Sequence, residues 1–182
     1  MASLEFLAII LTGIGLIASI LYYTFTLQNA NKTRQAQLFS QIYQARYNQD
    51  YIQRWWEIMA WEWKDFEEYY SKYGGFDIDP KIAAVSIAQF SYYDGIGLLV
   101  KNRMVDVETV FQLMSAPIIS LWFKCETVIK GMRAMENGPG ENYMENFEFL
   151  ANEMIRIRLE KGISLPTFIL HPKSTLHSKY NR

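Results

Sequence analysis

One uncharged apolar segment near the N-terminus constrains this chain more than any other feature of its sequence. No charged residue occurs from Phe6 to Asn31, and the 22 residues Phe6–Leu27 include five Leu, five Ile and two Phe. As a helix they would span roughly 33 Å, enough for a hydrocarbon core of about 30 Å. Those twelve side chains favour insertion by roughly 4 to 7 kcal/mol. The segment therefore predicts a single transmembrane helix.

Two other interpretations fit this segment less well. A signal peptide needs a basic start and a small-residue cleavage site, but the sequence MASLE has no Lys or Arg and no such site follows. A buried core helix would be apolar on one face, whereas this segment is apolar on all sides. Tyr22, Tyr23 and Phe25 lie at its end, where the aromatic belt of a membrane helix is expected.

The charges beside the segment predict its orientation. Residues 28–49, which follow the apolar segment, carry three basic side chains and no acidic side chain. The residues before the segment carry only one charged side chain, Glu5. The positive-inside rule then places the N-terminus outside the cell membrane and the rest of the chain in the cytoplasm. The glycosylation sequon Asn31-Lys32-Thr33 would favour the opposite topology.

One face of the apolar segment consists of small residues. Small side chains let membrane helices approach closely, and packing rather than the hydrophobic effect drives their association. The spacing predicts a docking face for a transmembrane helix of another subunit, and the alternative is the ordinary small-residue content of an isolated anchor. The residues of this docking face are Ala8, Thr12, Gly15, Ser19 and Thr26.

The rest of the chain reads as helices separated by short breaks. Apolar periodicity predicts helices over 28–54, 51–73, 80–102, 107–135 and 141–161, with Asp79 and Asp106 as N-caps and Pro117 as a kink or a restart. The predicted fold is all-α: one transmembrane helix continuing into an antiparallel bundle of about four helices. The predicted regions are an anchor at 1–27, a helical bundle domain at 28–162 and an extended basic tail at 163–182.

The helix over 80–102 is apolar enough to raise the question of a second span. Residues 82–100 hold one charge, Asp94, which would cost about 2.5–3.5 kcal/mol near the membrane centre. A largely buried helix of the bundle fits this segment better. Asp94 is then expected to be a hydrogen-bonded structural residue, and Gly95 and Gly97 are expected to allow a close helix contact or a bend.

The composition excludes several functional classes. A formal net charge of −1 argues against a general nucleic-acid binder. No metal, cofactor or small-molecule substrate is predicted, because both histidines, His171 and His177, lie outside every predicted helix. An enzyme would need a pocket built from Asp94, the acidic aromatic helix and Cys125, and the sequence pairs no nucleophile with a base. We therefore expect a protein that is not an enzyme.

Two stretches are candidate partner surfaces. The acidic aromatic stretch WEWKDFEE supplies Trp61, Trp63, Asp65 and Glu68, and its alternative is an aromatic core with a solvated acidic face. The tail contains no acidic residue and could lie on a partner subunit or on anionic headgroups, or it could be a frayed end. Its basic residues are Lys173, Lys179 and Arg182.

Several segments of the sequence resemble those of a known family over roughly residues 5–157. These segments are NANKTRQAQLFSQIY, WEIMAWEWKDFEEYYSKYG, FSYYDGIGLLVKNRMVDVETV and MSAPIISLWFKCETVI, and they follow an apolar N-terminal span. The chain resembles an uncharacterised family of prokaryotic, often archaeal, single-span membrane proteins with an all-helical domain of unknown function. The resemblance implies membrane attachment and a helical fold, and it implies no catalytic residue.

Together these observations favour a membrane-anchored accessory or scaffold subunit that contacts other subunits of a membrane protein complex. The small-residue face, the aromatic body without a chemical site and the basic tail all support this interpretation. The alternative is a membrane-tethered regulatory or signalling adaptor, in which the helical bundle binds a soluble partner.

Overall fold

A computed structural model describes residues 2–74 and 78–166, and every regular element in these ranges is helical. This confirms the predicted all-α class. The chain divides into two compact units, Met1–Ser40 and Gln41–Arg182. The helices are α1 (Ala2–Arg46), α2 (Gln49–Ala60), α3 (Phe66–Tyr69), a π-helical turn (Tyr70–Gly74), α4 (Pro80–Lys101), α5 (Val107–Ala134) and α6 (Glu145–Glu160).

The first unit consists of most of α1. This helix contains a stretch with a mean hydropathy of 2.3, and it is long and apolar enough to cross a membrane or to serve as a signal sequence. Its large apolar side chains from Leu4 to Leu27 are exposed, from Ile10 at 42% to Leu4 at 72%.

Two helices of the second unit begin where the sequence predicts. Asp79 accepts hydrogen bonds from the backbone N–H groups of Lys81 and Ile82, at 2.9 and 3.3 Å, and Pro80 is the first helical residue. Asp106 accepts from the N–H of Thr109 at 2.8 Å. Both carboxylates satisfy N–H groups that have no partner within the helix. The next helix, α5, continues through Pro117 without restarting.

The prediction of one helix over 51–73 was wrong. Helix α2 ends at Ala60, Trp61 is extended (φ −63°, ψ 143°), and Asp65 starts α3 by accepting from the N–H of Glu68. The break turns the buried Trp61 ring back onto Tyr73, and the two rings stack with centroids 4.5 Å apart. Packing of this aromatic pair outweighs the continuous helical periodicity of the segment.

Helices α5 and α6 run antiparallel, as contacts at both ends show. Arg133, near the end of α5, donates to Glu148 near the start of α6 at 2.5 Å. Lys161, just after α6, donates to Glu108 at the start of α5 at 2.5 Å. Between these ends lies the fully buried Phe147, whose ring contacts aromatic rings of α4 and α5: Phe90, Tyr93 and Trp122.

A side chain from α4 caps α6. The N-cap residue of α6, Met144, is left-handed (φ 56°) and makes no side-chain cap hydrogen bond. One oxygen of Asp94 accepts from the backbone N–H groups of Asn146 and Phe147, at 2.9 and 3.0 Å. The second oxygen accepts from the Asn146 amide at 3.2 Å. Asp94 is thus a hydrogen-bonded structural residue, as predicted, and it also complements the α6 dipole.

Replacing Asp94 is therefore expected to loosen α6. An Asp94→Ala variant should lose about 1–2 kcal/mol of stability, the range for loss of an N-cap. Asp94→Asn should lose less, because one carbonyl oxygen still accepts from the backbone. Urea unfolding of the full chain in mild detergent, followed by circular dichroism, measures both losses. Equal stability of Asp94→Ala and the parent chain would show that the cap contributes nothing.

Candidate functional site: an aromatic groove

An apolar groove of about 520 Å³ opens on the second unit. Its walls come from the end of α1, from α2, from the middle of α5 and from the segment after α6. Ligand sites in proteins are commonly apolar clefts of about 300–1,000 Å³. The residues that line it include Tyr47, Ile52, Trp55, Trp56, Pro117 and Pro166.

Several groove side chains are unusually exposed for their size. Tyr47 is 63% exposed, Trp56 is 53% exposed and Ile52 is 43% exposed. Single exposed apolar residues are common on proteins, but a contiguous apolar patch usually marks a binding surface. The groove is therefore the strongest candidate interaction site in the second unit.

Hydrogen bonds fix the helices that form the groove. Arg46, the last residue of α1, donates to the backbone carbonyl of Leu113 on α5 at 2.7 Å. Asn48 caps α2 by accepting from the N–H of Asp50 at 3.0 Å. The hydroxyl of Tyr51 on α2 is hydrogen-bonded to the hydroxyl of Tyr93 on α4. These contacts hold the end of α1 against α5 and hold α2 against α4, so the groove is built on positioned helices.

The groove also contains an unused hydrogen-bond donor. The rings of Trp55 and Trp56 meet edge to face with centroids 5.0 Å apart. The indole N–H of Trp55 is buried and has no acceptor among the residues that the structure describes. A buried donor without a partner costs about 1–3 kcal/mol, so an acceptor on a bound segment would stabilise the complex.

The sequence pattern did not single out this groove, although one signal was present. Trp55 and Trp56 are consecutive, and consecutive residues of a helix point about 100° apart. Two adjacent tryptophans cannot both face the same core, so one of them had to lie near solvent. The prediction of a partner surface was placed instead on the acidic stretch that follows.

The structure divides that acidic aromatic stretch among different roles. Trp61 is buried, whereas the half-buried Trp63 packs its ring edge to face on Tyr69 at 5.1 Å. The ammonium group of Lys124 on α5 lies 4.4 Å from the centre of the Trp63 ring. The same group donates to the carbonyl of Trp61 at 2.6 Å, and burial lowers the pKa of Lys124. Lys124 therefore joins this stretch to α5 through a cation–π contact with Trp63 and a hydrogen bond to Trp61.

The two candidate carboxylates of this stretch make local hydrogen bonds. The N–H of Glu68 donates to Asp65 and holds the pKa of that carboxyl below its ordinary value. Glu68 accepts from Lys72 at 2.6 Å and from the N–H of Lys64 at 2.8 Å. The bond from Lys72 is the main reason that the pKa of Glu68 is also lowered. Whether a partner uses these residues stays a prediction.

The predicted docking face of α1 is exposed throughout. Its hydroxyl groups bond to carbonyls one turn earlier: Thr12 donates to Ala8 at 2.8 Å and Ser19 donates to Gly15 at 2.7 Å. Thr26 donates to a carbonyl in the same way at 2.8 Å. Because these donors are satisfied within the helix, the face offers close packing more than hydrogen bonding to a second helix.

Two residues considered for an enzyme site, Asp94 and Cys125, have roles in the fold. Asp94 caps α6, and Cys125 is fully buried on α5, where burial raises the pKa of its thiol. A buried thiol with a raised pKa is a poor nucleophile. Within residues 2–74 and 78–166, no group of three or more His, Cys, Asp or Glu could hold a metal ion. Lys173, Lys179 and Arg182 lie outside the described residues.

The described residues form an all-helical chain with a long apolar N-terminal helix and an aromatic groove. Comparison with protein families gives a match over residues 9–154 to the domain of unknown function DUF4760. The chain therefore belongs to this family. Searches of curated proteins and of solved structures found no match.

Proposed function

We propose that this protein is a membrane-anchored accessory or scaffold subunit of a membrane protein complex and that it is not an enzyme. One observation carries the proposal: the apolar side chains of α1 from Leu4 to Leu27 are exposed to solvent. Leaving so many large apolar side chains in water is costly, at about 1.5–3 kcal/mol each. A lipid bilayer would cover them, so α1 crosses the membrane once.

The same proposal assigns an orientation and an origin. The basic residues that follow the span, including Lys32 and Arg34, place the helical domain in the cytoplasm and the N-terminus outside. In this proposal the protein crosses the membrane once. Its family is prokaryotic and often archaeal, as the resemblance implies.

The small-residue face of α1 is the proposed contact with other subunits. Gly15 lies on this face, whereas Gly13 points about 200° away from it, and neither has a neighbour within 4 Å that a Cβ would meet. A partner helix packed on this face would meet any side chain added at position 15. The two glycines therefore form a matched pair for testing the contact.

Purification in mild detergent, followed by mass determination of the native complex, tests this contact. The parent chain is expected to purify with at least one other membrane protein. Gly15→Leu should lose that partner because the larger side chain prevents close approach. Gly13→Leu should keep it. A monomer without any partner for the parent chain would count against the subunit proposal.

A second candidate function is a regulatory or signalling adaptor that binds a soluble partner. The exposed carboxylates Glu62 and Glu67, which lie within the acidic aromatic stretch, favour it. Their reversal to Lys should then abolish capture of a cytoplasmic protein, whereas Gly15→Leu should not. The opposite pattern of losses would favour the subunit.

A further inference from the structure

The backbone after α6 is steered toward the aromatic groove. Gly162, with φ at +65°, ends the helix: its N–H donates to the carbonyl of Leu159 at 3.1 Å, and the N–H of Ile163 donates to the carbonyl of Arg158 at 2.8 Å. These two bonds form a Schellman motif, which fixes the direction in which the chain leaves the helix.

Arg158 then holds the departing segment against α5. Its guanidinium donates to the carbonyl of Ser164 at 2.5 Å and reaches the hydroxyl of Ser115 at 3.4 Å. Two residues further on, Pro166 lines the groove beside Pro117. The bonds that end α6, the bond from Arg158 to Ser164 and the position of Pro166 thus bring the chain to the groove. Pro166 is the last residue that the structure describes.

The next residues have the composition that the groove would bind. Thr167, Phe168, Ile169 and Leu170 carry no charge and include three large apolar side chains. The groove is about 8 Å across if its volume is treated as a cube. Four extended residues span roughly 13 Å, so they can cross it without any linker.

Attachment to the groove favours these residues over a separate molecule. A segment joined directly to the site has an effective concentration of the order of millimolar or higher, which a free peptide or a second copy would have to exceed. Alternate side chains of an extended segment share one face, so binding in an extended form would present Phe168 and Leu170 together.

We propose that Thr167–Leu170 bind in the aromatic groove of the same chain. Phe168 and Leu170 cover Ile52 and Trp56, and a backbone carbonyl of the segment accepts the hydrogen bond that the buried Trp55 indole offers. The groove is then an internal docking site for the C-terminal segment. This inference is independent of the proposed function, since it requires neither a membrane nor a partner.

Photo-crosslinking of the full chain tests the proposal. Phe168→p-benzoylphenylalanine keeps an aromatic side chain at that position and places a crosslinker in the proposed site. Irradiation of the purified protein should give crosslinks within single chains to tryptic peptides 47–54, 55–64 or 104–124, which carry the groove residues. The same label at Tyr180, ten residues beyond Leu170, should give few crosslinks to those peptides.

A matched pair of groove variants shows whether the crosslink depends on the groove. Ile52 and Leu98 are large apolar residues with similar exposure, and only Ile52 lines the groove. Ile52→Asp should lower the crosslink yield roughly tenfold, because a carboxylate in the groove disfavours burial of apolar side chains. Leu98→Asp should leave the yield unchanged. Circular dichroism checks that both variants keep the helical content of the parent chain.

The outcomes separate this inference from its competitors. Groove crosslinks within one chain that Ile52→Asp removes would support it. Crosslinks that join two chains would overturn it in favour of a second copy as the occupant. Crosslinks outside the groove, or a yield that Ile52→Asp does not change, would also overturn it. None of these results depends on whether a membrane partner co-purifies.

Discussion

Gly97→Ala is expected to destabilise the helical domain, whereas Gly95→Ala is expected to stabilise it, although both replace a glycine of α4. A Cβ at position 97 would meet the backbone carbonyl of Asn146 on α6. That carbonyl cannot move easily, because the N–H of the same residue is bonded to Asp94 on α4. Overpacking of this kind costs up to about 3 kcal/mol, which outweighs the gain of about 1 kcal/mol in helix propensity.

Gly95 supplies the control for this prediction. Nothing lies within 4 Å of a Cβ built there, so alanine should give the full propensity gain of about 1 kcal/mol. The two variants should therefore differ by about 3 kcal/mol in free energy of unfolding, or by roughly 6–12 °C in melting temperature. Thermal unfolding of both full chains in the same detergent measures the difference. Equal melting temperatures would mean that α4 and α6 do not meet closely at Gly97.

The helical domain is also expected to unfold at a pH above about 10. Burial raises the pKa of Tyr69 and Tyr93 above the ordinary value of 10.0, and it raises the pKa of Cys125 above 9.0. All three groups keep their protons in the folded domain after the unfolded chain has lost them. Their contribution is complete below about pH 9 and falls as the pH rises, by about 1.4 kcal/mol per pH unit for each group.

Above about pH 10 these three groups together remove roughly 4 kcal/mol of stability per pH unit. Lys124 acts in the opposite direction, because burial lowers its pKa below 10.5, and its effect ends near that pH. A domain stable by about 5–15 kcal/mol should therefore unfold within a few pH units above pH 10. Circular dichroism during alkaline titration should show one cooperative loss of helix together with ionisation of tyrosine.

Tyr69→Phe checks the cause of this alkaline transition. The Tyr69 hydroxyl is buried and has no hydrogen-bond partner among the residues the structure describes, so its removal should cost little at neutral pH. It should reduce the alkaline slope by about 1.4 kcal/mol per pH unit. Tyr22→Phe, which removes an exposed hydroxyl outside the helical domain, should leave the slope unchanged. A slope unaltered by Tyr69→Phe would assign the transition to other groups.

Local capping signals predicted much of the fold. The Asp79-Pro80 pair and Asp106 mark the starts of α4 and α5 because the capping carboxylate lies beside the backbone groups that it satisfies. Such contacts depend on neighbours in sequence and can be read without knowing the tertiary structure. Asn48 likewise starts α2 through a local cap, which belongs to the same class of signal.

Long-range contacts account for what the sequence did not predict. Helix α6 begins at Glu145 rather than at 141, because its cap is Asp94 on another helix, some 50 residues away. The break at Trp61 depends on stacking with Tyr73 and on Lys124 of α5. The groove likewise combines α2 with α5 and with Pro166, so no local pattern defines it.

Alkaline carbonate extraction of membranes tests most directly the proposal that α1 lies in a lipid bilayer. The full chain should stay in the membrane pellet even at a pH that unfolds its helical domain, because insertion of α1 does not depend on that domain. Release of the intact chain into the supernatant, or recovery of a chain that lacks residues 1–27, would contradict the account.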